Sequence, residues 1–440
     1  MKAERVTVEG PSRASDGPVR NMMDNRSIRR TTTVTVGLLS TIWLIDMVDR
    51  VMIGLALPMI GDEFSLSSTQ LGGVVSVFAI FYMLGQVPGG MLADRFGPRP
   101  LLIVALILWS VFTALTGFAW GLVSLMVMRA MFGISQGLFP AASFKALAER
   151  TRPKTRATAM GFMLGANNLG PGIAPLIIAP VLMAVGWRDA FWLVAIVGAV
   201  IGTVVWLVLP APLDTEISED PEISAPLDTE ISEDPEAALQ PLASEHSRAA
   251  VFKSASVWKF AILFCLANMS AYGLMTWVPS YLLNDKGLSL IDTGIFAAIP
   301  FIVTALATIV GGRLVDKYFH DRARILLVPC MATSAVLLFL MTTADTVAMF
   351  TFYETLALGI SGLCSMSIFA MPLRALPAEF LGSGMGLING CGQFAGFITP
   401  LVMGWMVDQF SYMAAFGVLV GATSAAALVA MIVPQTPAKF

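Results

Sequence analysis

The sequence predicts an all-α membrane protein in which twelve transmembrane helices form two pseudo-symmetric six-helix bundles. Three observations lead there: an excess of apolar residues, their division into helix-length segments, and an echo between the two halves of the chain. Of 440 residues, 56% are hydrophobic and 13% are charged, against about 45–50% and about 25% in soluble domains. A bilayer-spanning helix needs about 20 mostly apolar residues, so twelve would use about 240 of them. Little is left for a soluble domain.

Taken in order, residues 1–31 are polar and include Arg20, Arg26, Arg29 and Arg30. They lack a short apolar core with a small-residue cleavage site and are expected as a cytoplasmic tail. Residues 32–210 hold six apolar segments, near 34–60, 71–91, 101–118, 122–140, 157–185 and 190–209. Residues 257–434 hold six more, near 257–283, 293–315, 325–341, 347–371, 385–407 and 413–433. Residues 435–440 form a second short cytoplasmic tail. The intervening stretch, 211–256, repeats one twelve-residue acidic sequence at 211–222 and 225–236. So acidic a segment cannot bury a core and is expected to be a disordered linker. Lys and Arg collect in alternate connections (Arg95 and Arg99; Lys145, Arg150 and Arg156; Lys317, Arg322 and Arg324; Arg374), while the opposite connections hold Arg188 and Lys286. The basic side is cytoplasmic, which puts both termini and the linker there.

Several functions are excluded by composition. With two histidines and four scattered cysteines, neither a metal cluster nor a disulfide framework is expected. No nucleophile–histidine–acid set can be assembled, so the chain is not read as an enzyme, and no cofactor is expected. The net charge of −3 gives no case for nucleic-acid binding. The partners are the lipid bilayer and a small solute.

A motif follows the second segment: Gly90, Asp94, Arg95, Gly97 and Arg99. Its echo after the eighth is Gly312, Asp316 and Lys317, then Arg322 and Arg324. Gly90 is expected to permit close helix contact, Gly97 to supply a turn with positive φ, and Asp94 to pair with Arg95 or Arg99 or to face a helix N-terminus. Such a pair at a helix end is a latch for a gate. Met160-Gly161 and Pro175 likewise recur as Met385-Gly386 and Pro400, which argues for duplicated halves.

These residues resemble the signature of the major facilitator superfamily over essentially the whole chain. A narrower resemblance rests on Asp49-Arg50, Ala56-Leu57-Pro58, Glu63 through Ser67, Gln70, Tyr82, Gln86, Pro88-Gly89-Gly90, and Trp277-x-Pro279-x-Tyr281-Leu282 with Lys286 through Ser289. That series is similar to the anion:cation symporter family of galactonate, hexuronate, glucarate and sialin-like carriers. The resemblance implies import of a small organic anion, a carboxylate or sugar acid, by proton symport and alternating access. The protein is expected as a multi-pass monomer in the cell (inner) membrane.

Ionisable residues inside a bilayer are functional candidates by default. The first segment carries Asp46, Asp49 and Arg50. Asp46 and Arg50, four apart with the acid first, are placed to pair. Two carboxylates sharing one cation in low dielectric do not both stay ionised cheaply, so one is a candidate proton carrier. The resemblance implies that Arg50 holds the substrate carboxylate and that Asp49 takes part in proton coupling. In the fourth segment Arg129 and Gln136 share a face, and Arg129 is expected to find Asp46 or Asp49. Gln136 stands where the family usually has glutamate. Glutamine keeps the hydrogen bonds but does not titrate, so in proton symport the proton rides on Asp46, in place of the missing acid, or on Asp49; otherwise the protein is a uniporter or exchanger. Tyr82 and Gln86, Asn167 (with Asn168), and Asn389 and Gln393 are further candidates for the substrate path, with Tyr272 and Asn268 behind them. Glu354, early in the tenth segment and near the outer surface, is expected to snorkel there, with a functional role as the alternative. A competing reading is proton-coupled efflux by antiport, from Gly170-Pro171-Gly172, an incomplete match to the motif of drug exporters.

Overall fold

The computed structural model describes residues 19–151, 153–212, 253–319, 322–375 and 378–434. All but the first two residues of the duplicated acidic repeat, and the last six residues of the chain, lie outside them. What is described is helical, since a bilayer offers backbone N–H and C=O groups no other partners and a helix satisfies them within one segment. In the first half these are α1 (Val19–Phe64), α2 (Ser68–Phe96), α3 (Pro98–Gly117), α4 (Leu122–Gly137), α5 (Phe139–Glu149) and α6 (Pro153–Val208). In the second they are α7 (Ala255–Ser280), α8 (Leu290–Tyr318), α9 (Ala323–Thr342), α10 (Val347–Ala375), α11 (Ala378–Gln409) and α12 (Tyr412–Ile432).

Ten stretches among the described residues are long and apolar enough to cross a membrane. Two further crossings follow from the chemistry. One is α1, whose apolar run is interrupted mid-helix by Asp46, Asp49 and Arg50. The other comes from Ala159–Val208, which is two crossings folded back at Gly186, where φ is 79°. The fourth crossing is divided in turn: Pro140 has no N–H to continue α4, and α5 starts with it in its first turn. α1 begins at Val19, inside the stretch expected as a tail, because neither Gly nor Pro interrupts the chain between Pro18 and Gly37.

The two halves repeat one set of contacts. α1 packs on the first arm of α6, α2 on α4, and α3 on the second arm of α6; α7 packs on α11, α8 on α10 and α9 on α12. Apolar side chains such as Ile107, Val111, Val200, Leu306, Val336 and Phe339 lie exposed on the outside, a surface suited to lipid.

The halves meet through α2 on α11 and α6 on α8. Glycines set the approach: a Cβ at Gly72 would strike the Pro400 backbone, one at Gly404 the Ser68 backbone, and one at Gly294 the Pro175 carbonyl. All three lie toward the end where α1 finishes and α2 begins. Near the opposite end, a Cβ at Gly90, Gly161, Gly165 or Gly390 would meet nothing within 4 Å. The molecule is therefore closed between its halves at one end and open at the end that carries Asp94.

Candidate functional site

A cavity of about 280 Å³ lies between the halves, with walls from α1, α2, α4 and α6 on one side and α7, α8, α10 and α11 on the other. Arg50, Tyr82, Arg129, Asn167 and Gln393 line it, as do Asn168, Asn268 and Tyr272. Phe78, Phe132 and Phe301 form most of its aromatic surface.

Arg50 is the best-anchored group. Its Nε lies 3.0 Å from Asp46 Oδ2, Nη2 donates to Asp46 Oδ1 at 3.3 Å, and Nε also donates to Gln136 Oε1 at 3.1 Å. The guanidinium stacks over the Tyr82 ring at 4.2 Å. The pairing of Asp46 with Arg50 follows from their spacing of one helical turn. Asp46, Asp49 and Gln136 are all fully buried behind the cavity wall.

Asp49 is held from the other side. Trp109 Nε1 and Thr113 Oγ1 of α3 donate to its Oδ2 at 2.5 and 2.8 Å, while Oδ1 has no partner. Arg129 is the main opposite charge acting on it. Yet among the described residues Arg129 makes no ion pair, and its Nε and Nη2 are unpartnered. The expected contact to an aspartate is thus electrostatic rather than direct. The α3 donors hold Oδ2, and the guanidinium lies 5.1 and 5.0 Å from the Phe132 and Phe191 rings.

Opposite, Tyr272 Oη donates to Gln393 Oε1 at 2.9 Å. Asn167 Oδ1 is buried and unpartnered. Two expected residues do not join this group. Gln86 is half-buried and outside the cavity wall, and Asn389 is exposed and outside it. Each lies one turn from a lining residue, toward the end where the halves part.

The expected gating motif is only partly as read. Gly97 has φ 81°. Asp94 pairs not with Arg95 or Arg99 but with Lys145 of α5, at 2.8 Å, because α5 passes beside the end of α2. Arg99 instead donates to the Trp206 carbonyl at 2.7 Å, and Arg95 lies over Phe96. A Cβ at Gly90 would meet nothing within 4 Å; the close approach of α2 to α4 is made at Gly85 and Gly89, against Gly137 and Leu138. The side chain of Asp316 lies outside the described residues. Gly170 and Gly172 pack against Met47 and Ile302, a packing role for the exporter-like tripeptide. Glu354 does not snorkel: it is fully buried and neither carboxylate oxygen has a partner.

Sequence reasoning missed Trp109 and Thr113. Their signal was present, two polar-tipped side chains one turn apart in a mostly apolar segment, beside Ser110 and Thr116, which bond back to their own helix.

The family model described as Major Facilitator Superfamily matches residues 39–400. Among curated relatives, the hexuronate transporter of Bacillus subtilis (strain 168) is 29% identical over 403 residues, covering 88% of this chain and 91% of the relative. The probable sulfoacetate transporter SauU of Cupriavidus necator is 30% identical over 400 residues, covering 86% and 88%. Among solved structures, an inward-facing, unoccupied bacterial homologue of the human lysosomal transporter Spinster superposes with a TM-score of 0.75, covering 92% of this chain and 95% of that one at 18% identity, a likeness of fold. A multi-pass membrane transporter and not an enzyme, this chain belongs to the Major Facilitator Superfamily.

Proposed function

We propose that this protein imports a small organic anion, a carboxylate or sugar acid, by proton symport, with Arg50 as the anchor for the substrate's negative charge. The observation that carries this reading is Arg50 itself. A fixed guanidinium on the wall of an inter-half cavity, braced by Asp46 and Gln136 and stacked on Tyr82, is a pre-organised anion site. Relatives named as hexuronate and probable sulfoacetate transporters agree in the charge of their cargo.

Charge balance supports proton coupling. Asp46 and Asp49 offset Arg50 and Arg129, so these four buried groups are neutral as a set. An entering anion adds one uncompensated negative charge in a dry site, and a proton on one of the aspartates removes it. Asp49 reaches no guanidinium directly and is the group we assign to that proton. The basic end of the molecule faces the cytoplasm, which makes the present conformation open inward, and the protein works as a monomer by alternating access. The second reading, exchange or uniport, rests on Gln136, which cannot titrate.

Uptake into proteoliposomes, screened across monocarboxylates, sugar acids and aromatic acids, tests the proposal. Accumulation of at least one anion, driven by an inward proton gradient, is the expected result. Uptake indifferent to the gradient for every transported anion would favour the second reading, and no anion uptake at all would reject the first.

A further inference from the structure

Glu354 takes no part in the mechanism above, and its setting demands an explanation. It lies in α10, on the closed-end side of the central cavity, and is fully buried with both carboxylate oxygens unpartnered. Around it is a void of about 10 Å³, room for at most one water. The walls are apolar and come from both halves: Val51, Pro171 and Pro175 from the first, with Leu274, Val278 and Phe301 among those from the second. The acid is therefore sealed into the contact between the halves.

Among the described residues no charged group faces it. On α1, Arg50 adjoins Val51 but is engaged by Asp46 and Gln136, and Asp49 is held by Trp109 and Thr113. On α6 the nearest residues are prolines, and Arg188 at its bend is paired with Glu63. On α7, Tyr272 donates to Gln393; on α8, Asp292 accepts from Ser289. Within α10 itself, Cys364 donates to the Ser361 carbonyl and Tyr353 packs on Phe352, and on α9 Cys330 contacts Cys364. An ionised carboxylate with neither cation nor donor is untenable in such surroundings.

We propose that Glu354 is a proton-binding site of the transport cycle, neutral while the halves are closed at the outer end and ionised once that end parts. When the outer end opens, the two halves separate around Glu354 and water reaches the carboxylate. Before the halves can close again, the carboxylate must bind one proton, forming its O–H bond. The proton is taken from the outer side on closing and returned there at the next opening, so Glu354 gates closure of the outer end while the coupled proton rides on Asp49. This inference rests on the proposed transport function.

Two measurements on the full-length protein test it. The first needs no substrate: infrared difference spectra at neutral pH between the wild type and Glu354→Gln. The carbonyl stretch of a neutral carboxylic acid should be lost in the variant; its absence from the wild type would overturn the proposal. The second uses proteoliposomes and an anion that the wild type carries. Counterflow in the wild type should slow as the outside pH is raised, by up to about tenfold per unit as the protonated fraction falls, a dependence that Glu354→Gln should flatten and Glu354→Asp restore. An unchanged pH dependence in Glu354→Gln, or equal loss of counterflow in the two variants, would overturn it. If the wild type carries no anion, the function proposed above fails while the infrared result still decides the state of Glu354.

Discussion

Asp408, in the last turn of α11, caps the first turn of α2 across the contact between the halves. Its Oδ2 accepts from the Thr69 N–H at 2.6 Å and from Thr69 Oγ1 at 2.5 Å, and Oδ1 accepts from the Ser68 N–H at 2.8 Å. A carboxylate from one half thus neutralises the N-terminal dipole of a helix in the other. With Gly72 and Gly404 admitting the backbones nearby, it forms a polar clasp on the closed end.

Removing the clasp should favour the opposite conformation. Asp408→Ala should shift the equilibrium by about 1 kcal/mol, roughly a fivefold change in populations, as expected for an exposed cap. Spin labels at positions 62 and 345, on the two halves at this end, should report a larger long-distance population in the variant. Identical distance distributions would remove the clasp from the account.

Restoring an acid in α4 should strengthen the response to protons. In Gln136→Glu, a carboxylate would replace the amide oxygen that accepts from Arg50 and compete with Asp46 for one guanidinium. The buried set would gain a negative charge and need a proton to offset it. Uptake should therefore depend more steeply on pH than in the wild type when measured across a series of buffers.

Asp49→Asn separates transport from coupling. Asparagine can still accept from Trp109 and Thr113, whose donors hold Oδ2 now, so the fold should survive with little change in melting temperature. Accumulation driven by a proton gradient should disappear, while substrate exchange, which moves no net proton, should continue. Full accumulation in this variant would relocate the proton.

Much of this was legible in the residues. Twelve crossings and their pairing into halves followed from apolar segments and from the Asp94 and Asp316 echo. The ion pair of Asp46 with Arg50 followed from a spacing of one turn within a single helix. What failed to show was whatever depended on a neighbouring helix. Asp94 could be seen as a pairing group, but Lys145 is its partner only because α5 passes beside it. Gly90 was the expected contact glycine, whereas Gly85 and Gly89 face α4; one residue turns a helix by about 100°, enough to change the face. Asn389 was grouped with Gln393 by helical period, yet the halves have already parted one turn away. Glu354 looked like a surface acid because its place along the segment was visible and the α1 and α6 residues covering it were not.

The central claim is that Arg50 holds the substrate's negative charge. Isothermal titration of the purified protein with a transported anion, wild type against Arg50→Lys, tests it most directly. Lysine keeps the charge but loses the planar fork that spans Asp46, Gln136 and a carboxylate at once, so affinity should fall about tenfold to a hundredfold, roughly 1.4–2.8 kcal/mol. Near-wild-type affinity in Arg50→Lys would contradict the account and place the anion elsewhere in the cavity.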